Sequence, residues 1–180
     1  MIPSELVIEQ TKKWITNVVI GCNFCPFAAK LIKQQTAYYR VEESMSIASS
    51  LASFAEELIR LDNDTNIETT FLIFPNAFKS FTDYLDLVDR AEQLLNQNGY
   101  DGIYQVASFH PLYCFAGVKE NDAANFTNRS IYPMLHLLRE ASIDKALLNY
   151  KEPEKIPERN INFARQKGMA YMKMLRDTCL

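Results

Sequence analysis

Along the first stretch of the chain Val7, Trp14, Ile15 and Val18, with Thr11 among them, recur at helical spacing on one side of a helix predicted from Ser4 to about Val19. Gly21 ends it, and Pro26 is placed to open a short second helix to about Gln34, with Cys25 as its N-cap. The pattern then alternates between compact and helical runs. Thr36 to Val41, aromatic and β-branched, reads as a strand. Ser44 or Ser46 starts a helix whose apolar face is Ile47, Leu51, Phe54, Ala55 and Leu58, ending near Leu61. Glu68 to Phe74 is a second strand, closed by Pro75 and Asn76. Ser80 with Asp83 forms a capping-box pattern, opening a helix through Tyr84, Leu85, Val88, Ala91 and Leu95 that stops at Gly99. Ile103 to Phe109 is a third strand, and Tyr113 to Val118 supplies a fourth at an edge. A helix is predicted from about Ile131 to Leu148, and after Pro153 and Pro157 a last one from about 158 to 176.

Strands alternating with helices predict right-handed crossovers and a single α/β domain built on a small, mainly parallel sheet of three to four strands with helices on its faces. In such sheets ligands bind beyond the carboxyl ends of the strands. Asn76 follows the second strand and His110 the third. Helices that precede or follow parallel strands begin over the same edge, so Cys25, Asn76, His110 and Arg129 are expected on one rim. An antiparallel third strand would break that convergence.

Composition narrows the function. The 180 residues, 48% apolar and 23% charged, are ordinary for one globular domain. A net charge of −3 with no Lys/Arg block argues against a phosphate-backbone binder, so no nucleic-acid partner is expected. No signal-peptide pattern opens the chain and no apolar run is long enough to span a bilayer, which predicts a cytoplasmic protein with no membrane partner and reduced cysteines. The sequence names no cofactor and no oligomeric state.

Chemistry concentrates between Phe109 and Glu140, which hold both histidines. Arg129 is a two-pronged donor suited to carboxylate or phosphate, and Ser130 at a helix start would add open amides for a small anionic ligand; a structural ion pair uses the same residues. His110 is held extended by Pro111 and titrates near neutrality, as an acid, base or anion contact. His136, with Glu140 four residues on, reads as a second catalytic candidate or as one half of a helix-surface pair. Cys25 at a helix N-terminus would have its thiolate favoured, unless it is a buried inert thiol. Cys22, Cys25, His110 and Cys114 could form a Cys3His zinc site, although the long gap between the pairs is unspecific. No Gly-rich phosphate loop, G-x-S-x-G elbow or H-E-x-x-H motif is present.

The runs Cys25 to Ala28 (CPFA), His110 to Gly117 and Asn125 to Glu140 (NFTNRSIYPMLHLLRE) together resemble the bacterial family catalogued as domain of unknown function 1415, in order and length over nearly the whole chain. The positions that match its pattern are Cys25, His110, Pro111, Tyr113, Asn125, Asn128, Arg129, Tyr132 and His136. Cys22 stands where the family is typically apolar and Cys114 where cysteine is not typical, which counts against the zinc and CxxC readings. The resemblance implies no activity. Three readings follow: an enzyme of hydrolysis or group transfer on a small anionic metabolite, with Cys25, His110 and His136 catalytic and Asn76, Asn125, Asn128, Arg129, Ser130 and Tyr132 binding; a small-ligand or partner-binding module without chemistry; and a purely structural use of the motifs.

Overall fold

A computed structural model describes residues 2–148 and 150–180. Its strand order, β1-β2-β4-β3, departs from the mainly parallel expectation. β1 (Ala37–Val41) pairs parallel with β2 (Thr69–Ile73), while β4 (Met134–Arg139) is inserted antiparallel between β2 and β3 (Tyr104–Phe109). One of three pairings is therefore parallel. Because β3 and β2 are both antiparallel to the strand between them, β3 runs in the same direction as β1 and β2. Val41, Ile73, Met134 and Phe109 lie in one register row, so the exits of β1, β2 and β3 and the entry of β4 open on one rim. The third strand does pair antiparallel, yet the strand ends still converge.

β4 is the main correction to the sequence reading, which ran a helix through it. Met134, His136 and Leu138 alternate with Leu135 and Leu137 across two covered faces, so a central strand presents an almost continuous apolar run that period alone cannot tell from a helix. The helix begins only at α5 (Glu140–Leu147). Tyr113 to Val118 forms turns, not an edge strand.

Seven α-helices are found among the described residues. α1 (Ser4–Trp14) continues as a π-helical segment to Ile20, and α2 (Ala28–Gln34) leads into β1. Phe27, not Cys25, is the residue before α2. α3 (Ile47–Asn63) and α4 (Phe81–Gln97) are capped by Ser46 and Ser80, whose hydroxyls accept from the amides of Ser49 and Asp83. The predicted last helix is broken at Gly168 (φ 80°) into α6 (Ile156–Lys167) and α7 (Met169–Asp177). Trp14, Val18, Ala164 and Met172 pack with Phe71, Ile73 and Met134 on one side of the sheet. Phe54, Leu58, Tyr84 and Leu87 pack with Leu72, Leu135 and Leu137 on the other. Burying both faces is what makes β2 and β4 largely apolar, apart from Thr69 and Thr70 in the first and His136 and Arg139 in the second. No helix of the described residues is long and apolar enough to cross a membrane.

Candidate functional site

The rim loops are tied to one another by the residues that the sequence singles out. Asn76, leaving β2, donates from Nδ2 to the Glu43 carbonyl in the loop leaving β1 (3.1 Å). His110, leaving β3, is 1% exposed and lies among the rings of Phe81 (5.2 Å) and Tyr84 (5.0 Å). Its Nδ1 accepts from the Leu112 amide (3.0 Å), which puts the ring proton on Nε2 and directs it to the Phe78 carbonyl (2.8 Å). Both nitrogens are thus engaged. Burial lowers the His110 pKa, outweighing the hydrogen bond to Phe78.

Asn128 closes the open edge of β3. Its Nδ2 donates to the Ser108 carbonyl (3.1 Å) while its own carbonyl accepts from the His110 amide (3.2 Å), much as a neighbouring strand would. Asn125, fully buried, accepts from the Phe115 amide (3.1 Å) and donates to the carbonyls of Lys119 (2.9 Å) and Glu120 (3.4 Å). Ser130 is fully buried and donates to the Tyr132 carbonyl, and the Tyr132 hydroxyl donates to Gln10 of α1. Ser130 starts no helix: it lies in the connection that leads to β4, so the helix-terminus support expected for an anion is absent.

A residue outside the sequence reading fastens the same rim. The Tyr84 hydroxyl accepts from the Phe109 amide (3.0 Å) and donates to the Met134 carbonyl (2.7 Å), bridging the last pair of the β3–β4 ladder. Burial raises its pKa.

Arg129 is the exception among these anchors, because it is charged. It is 8% exposed; Nε donates to the Tyr113 carbonyl (2.9 Å) and Nη2 to the Glu120 carbonyl (2.9 Å). Nη1 has no protein partner, and none of the ion pairs among the described residues includes Arg129. A second guanidinium approaches instead. Arg176 of α7 and Arg129 both lie against the ring of Phe126, at 5.4 and 5.2 Å. Burial first, and then repulsion from Arg176, draw the Arg129 pKa down, against a smaller attraction from Glu120. Arg176 itself donates to the Pro111 carbonyl (3.0 Å) and pairs with Asp177 (2.6 Å). Phe126 lies in the same motif as Arg129, but Arg176 belongs to none, and nothing in the sequence links it to Arg129.

Cys25 and His136 stand apart from this cluster. The turn around Cys25 is held by α6, with Arg159 donating to the Asn23 carbonyl (2.7 Å) and Asn160 to that of Phe24 (2.7 Å). No hydrogen bond among the described residues joins Cys25 to His110, His136 or Arg129. Burial raises the Cys25 thiol pKa despite the amides of Phe27 and Ala28 that face it. His136 lies in the middle of β4, not on a helix, stacked on Phe71 at 3.9 Å. Burial pushes its pKa down to about 3. Among the described residues no three His, Cys, Asp or Glu side chains are grouped to hold a metal ion. Two surface clefts, of about 300 and 510 Å³, are lined by Glu92, Asn96, Asp101 and Gln105, and by Lys155, Arg159, Asn162 and Phe163; neither includes a predicted site residue.

Comparison with known proteins gives one match: the sequence pattern of a family described as protein of unknown function, DUF1415, fits residues 6–174. No curated protein and no solved structure matches the chain.

Proposed function

The chain belongs to the DUF1415 family, and from that premise we propose that it is a binding module for a small anion, with Arg129 as the principal contact. The observation that carries this reading is a nearly buried guanidinium with two nitrogens on backbone carbonyls, one nitrogen without a protein partner and, among the described residues, no ion pair. Burying a charge that forms no ion pair is costly, and repulsion from Arg176 adds to that cost, which the charge of Glu120 offsets only in part. An anion at Nη1 offsets both. The two carbonyl bonds fix the fork in advance, which limits the side-chain entropy lost on binding.

Binding is favoured over turnover by the state of the other candidates. His110 has its proton and its lone pair in use, His136 is held neutral inside the sheet, and burial disfavours the Cys25 thiolate. Catalysis with Cys25 as nucleophile and His110 as proton carrier would require both to leave these arrangements.

The experiment is a set of thermal melts in sodium phosphate and in sodium chloride of equal ionic strength, for the wild type and for Arg129→Lys. Phosphate is expected to raise the wild-type melting temperature above its chloride value in a saturable way, following mass action. The variant loses that increment, whatever its stability in chloride. An equal phosphate increment in the two proteins would overturn the assignment.

A further inference from the structure

The side of the sheet that faces α1 carries a row of rings unconnected with the anion contact. Tyr39, Phe71, His136 and Ala107 occupy one register row across the four strands. Tyr39 stacks on Phe71 (5.3 Å, 10° between planes), and Phe71 on His136 (3.9 Å, 9°). Phe109 borders His136 at 6.2 Å, and Trp14 stands edge-on to Phe109 at 5.3 Å. None of the residues that the strands place on this face is ionised at neutral pH: Ala37, Tyr39 and Val41; Thr69, Phe71 and Ile73; Met134, His136 and Leu138; Gln105, Ala107 and Phe109. Lys12 of α1 stands over the Tyr39 ring at 5.0 Å, at the far end of the row from Ala107.

The tautomer of His136 follows from its neighbour. Thr69 has one hydroxyl proton, and its short contact with the Leu137 carbonyl takes that proton. The contact of 2.6 Å between the same hydroxyl and His136 Nε2 therefore needs a proton from the imidazole. The proton sits on Nε2 and the lone pair on Nδ1, which has no partner among the described residues. Two further polar atoms in the same ring system, Trp14 Nε1 and the Tyr39 hydroxyl, are buried and unpaired. The face is not sealed. His136, Ala107 and Leu138 are half-buried, and Gln105 at the end of the next row is exposed.

We propose that this half-open sheet face is a second binding site, for a flat uncharged ring bearing an O–H or N–H donor, which stacks beside the Phe71–His136 pair and donates to His136 Nδ1. The acceptor is fixed by the Thr69 bond, and the strand residues of this face, none of them ionised, favour an uncharged ligand beside His136. Trp14 is the single tryptophan of the chain and reports on the site directly.

The test uses phenol as the probe and benzene as a ring of the same shape without the donor, on full-length protein labelled with ¹⁵N-histidine at neutral pH. The free protein is expected to show His136 as the Nε2–H tautomer. Phenol should shift the Nδ1 resonance and change Trp14 fluorescence saturably, and should bind about five- to tenfold more tightly than benzene, the worth of one neutral hydrogen bond. In His136→Phe, which keeps an aromatic ring on Phe71, the phenol-to-benzene ratio should fall to about one. An Nδ1–H tautomer, an Nδ1 resonance unmoved by phenol up to its solubility, or an unchanged ratio in the variant would each overturn the proposal.

Discussion

Replacing His136 by Phe should make the protein more resistant to acid without greatly changing its stability at neutral pH. Burial holds the His136 pKa at about 3 in the folded chain, against 6.5 ordinarily. The unfolded chain therefore takes up a proton below about pH 6.5 that the folded chain refuses until about pH 3. The stability contributed by the neutral imidazole is complete above that upper value and is lost as pH falls through the window, at about 1.4 kcal/mol per pH unit. Between pH 7 and pH 5 the loss comes to about 2 kcal/mol. His110, also lowered by burial, adds a loss of the same sign. In His136→Phe the ring still stacks on Phe71 and Thr69 keeps its bond to the Leu137 carbonyl, so the cost at pH 7 should stay within about 1.5 kcal/mol. Urea unfolding followed by circular dichroism at pH 7, 6 and 5 measures both proteins. The carboxylates are common to both, so the difference between the curves isolates His136. The wild type should lose about 2 kcal/mol more than the variant over this range; curves that run parallel would refute a neutral, buried His136.

The rim makes further predictions. Tyr84→Phe should cost about 2 kcal/mol, since it strands the Phe109 amide and the Met134 carbonyl together, and should speed hydrogen exchange at Phe109; a neutral substitution would show that the bridge contributes nothing. Asn128→Ala should destabilise by about 1–3 kcal/mol and expose the β3 edge at Ser108 and His110, seen as loss of amide protection at His110 and a rise in self-association by light scattering. Cys25 should be alkylated by iodoacetamide at pH 7.5 more slowly than a free thiol, because its raised pKa leaves less thiolate; a faster rate would restore the reactive-cysteine reading.

Several elements were legible in the chain because their signals are local. Ser46 and Ser80 cap the helices their spacing predicts, and Gly21 follows the end of the first helical segment. The rim was legible only in part: the exits of β1, β2 and β3 share one edge because these strands run in one direction, although the sheet is not the mainly parallel one expected and Cys25 stands apart from the other rim residues. β4 was not. Apart from His136, its residues Met134 to Leu138 are apolar on both faces because they lie at the centre of a covered sheet, and that burial is a property of the whole fold, not of the segment. Reading it as a helix misplaced His136 and gave Ser130 a capping role that it lacks. The motif around Asn125 and Asn128 stands out in the sequence, but its hydrogen bonds go to backbone groups of Ser108, His110, Phe115 and Lys119, and backbone partners leave no trace in sequence. For the same reason the approach of Arg176 to Arg129 became visible only in three dimensions.

Calorimetric titration of inorganic phosphate into the wild type and into Arg129→Lys at low ionic strength addresses the anion contact most directly. The account predicts a saturable one-to-one isotherm for the wild type and an affinity at least about tenfold lower for the variant, the loss expected when a charge-assisted fork is replaced by a point charge. A wild type that takes up no phosphate, or a variant that binds it equally well, would contradict the account and leave Arg129 as a structural anchor of the rim.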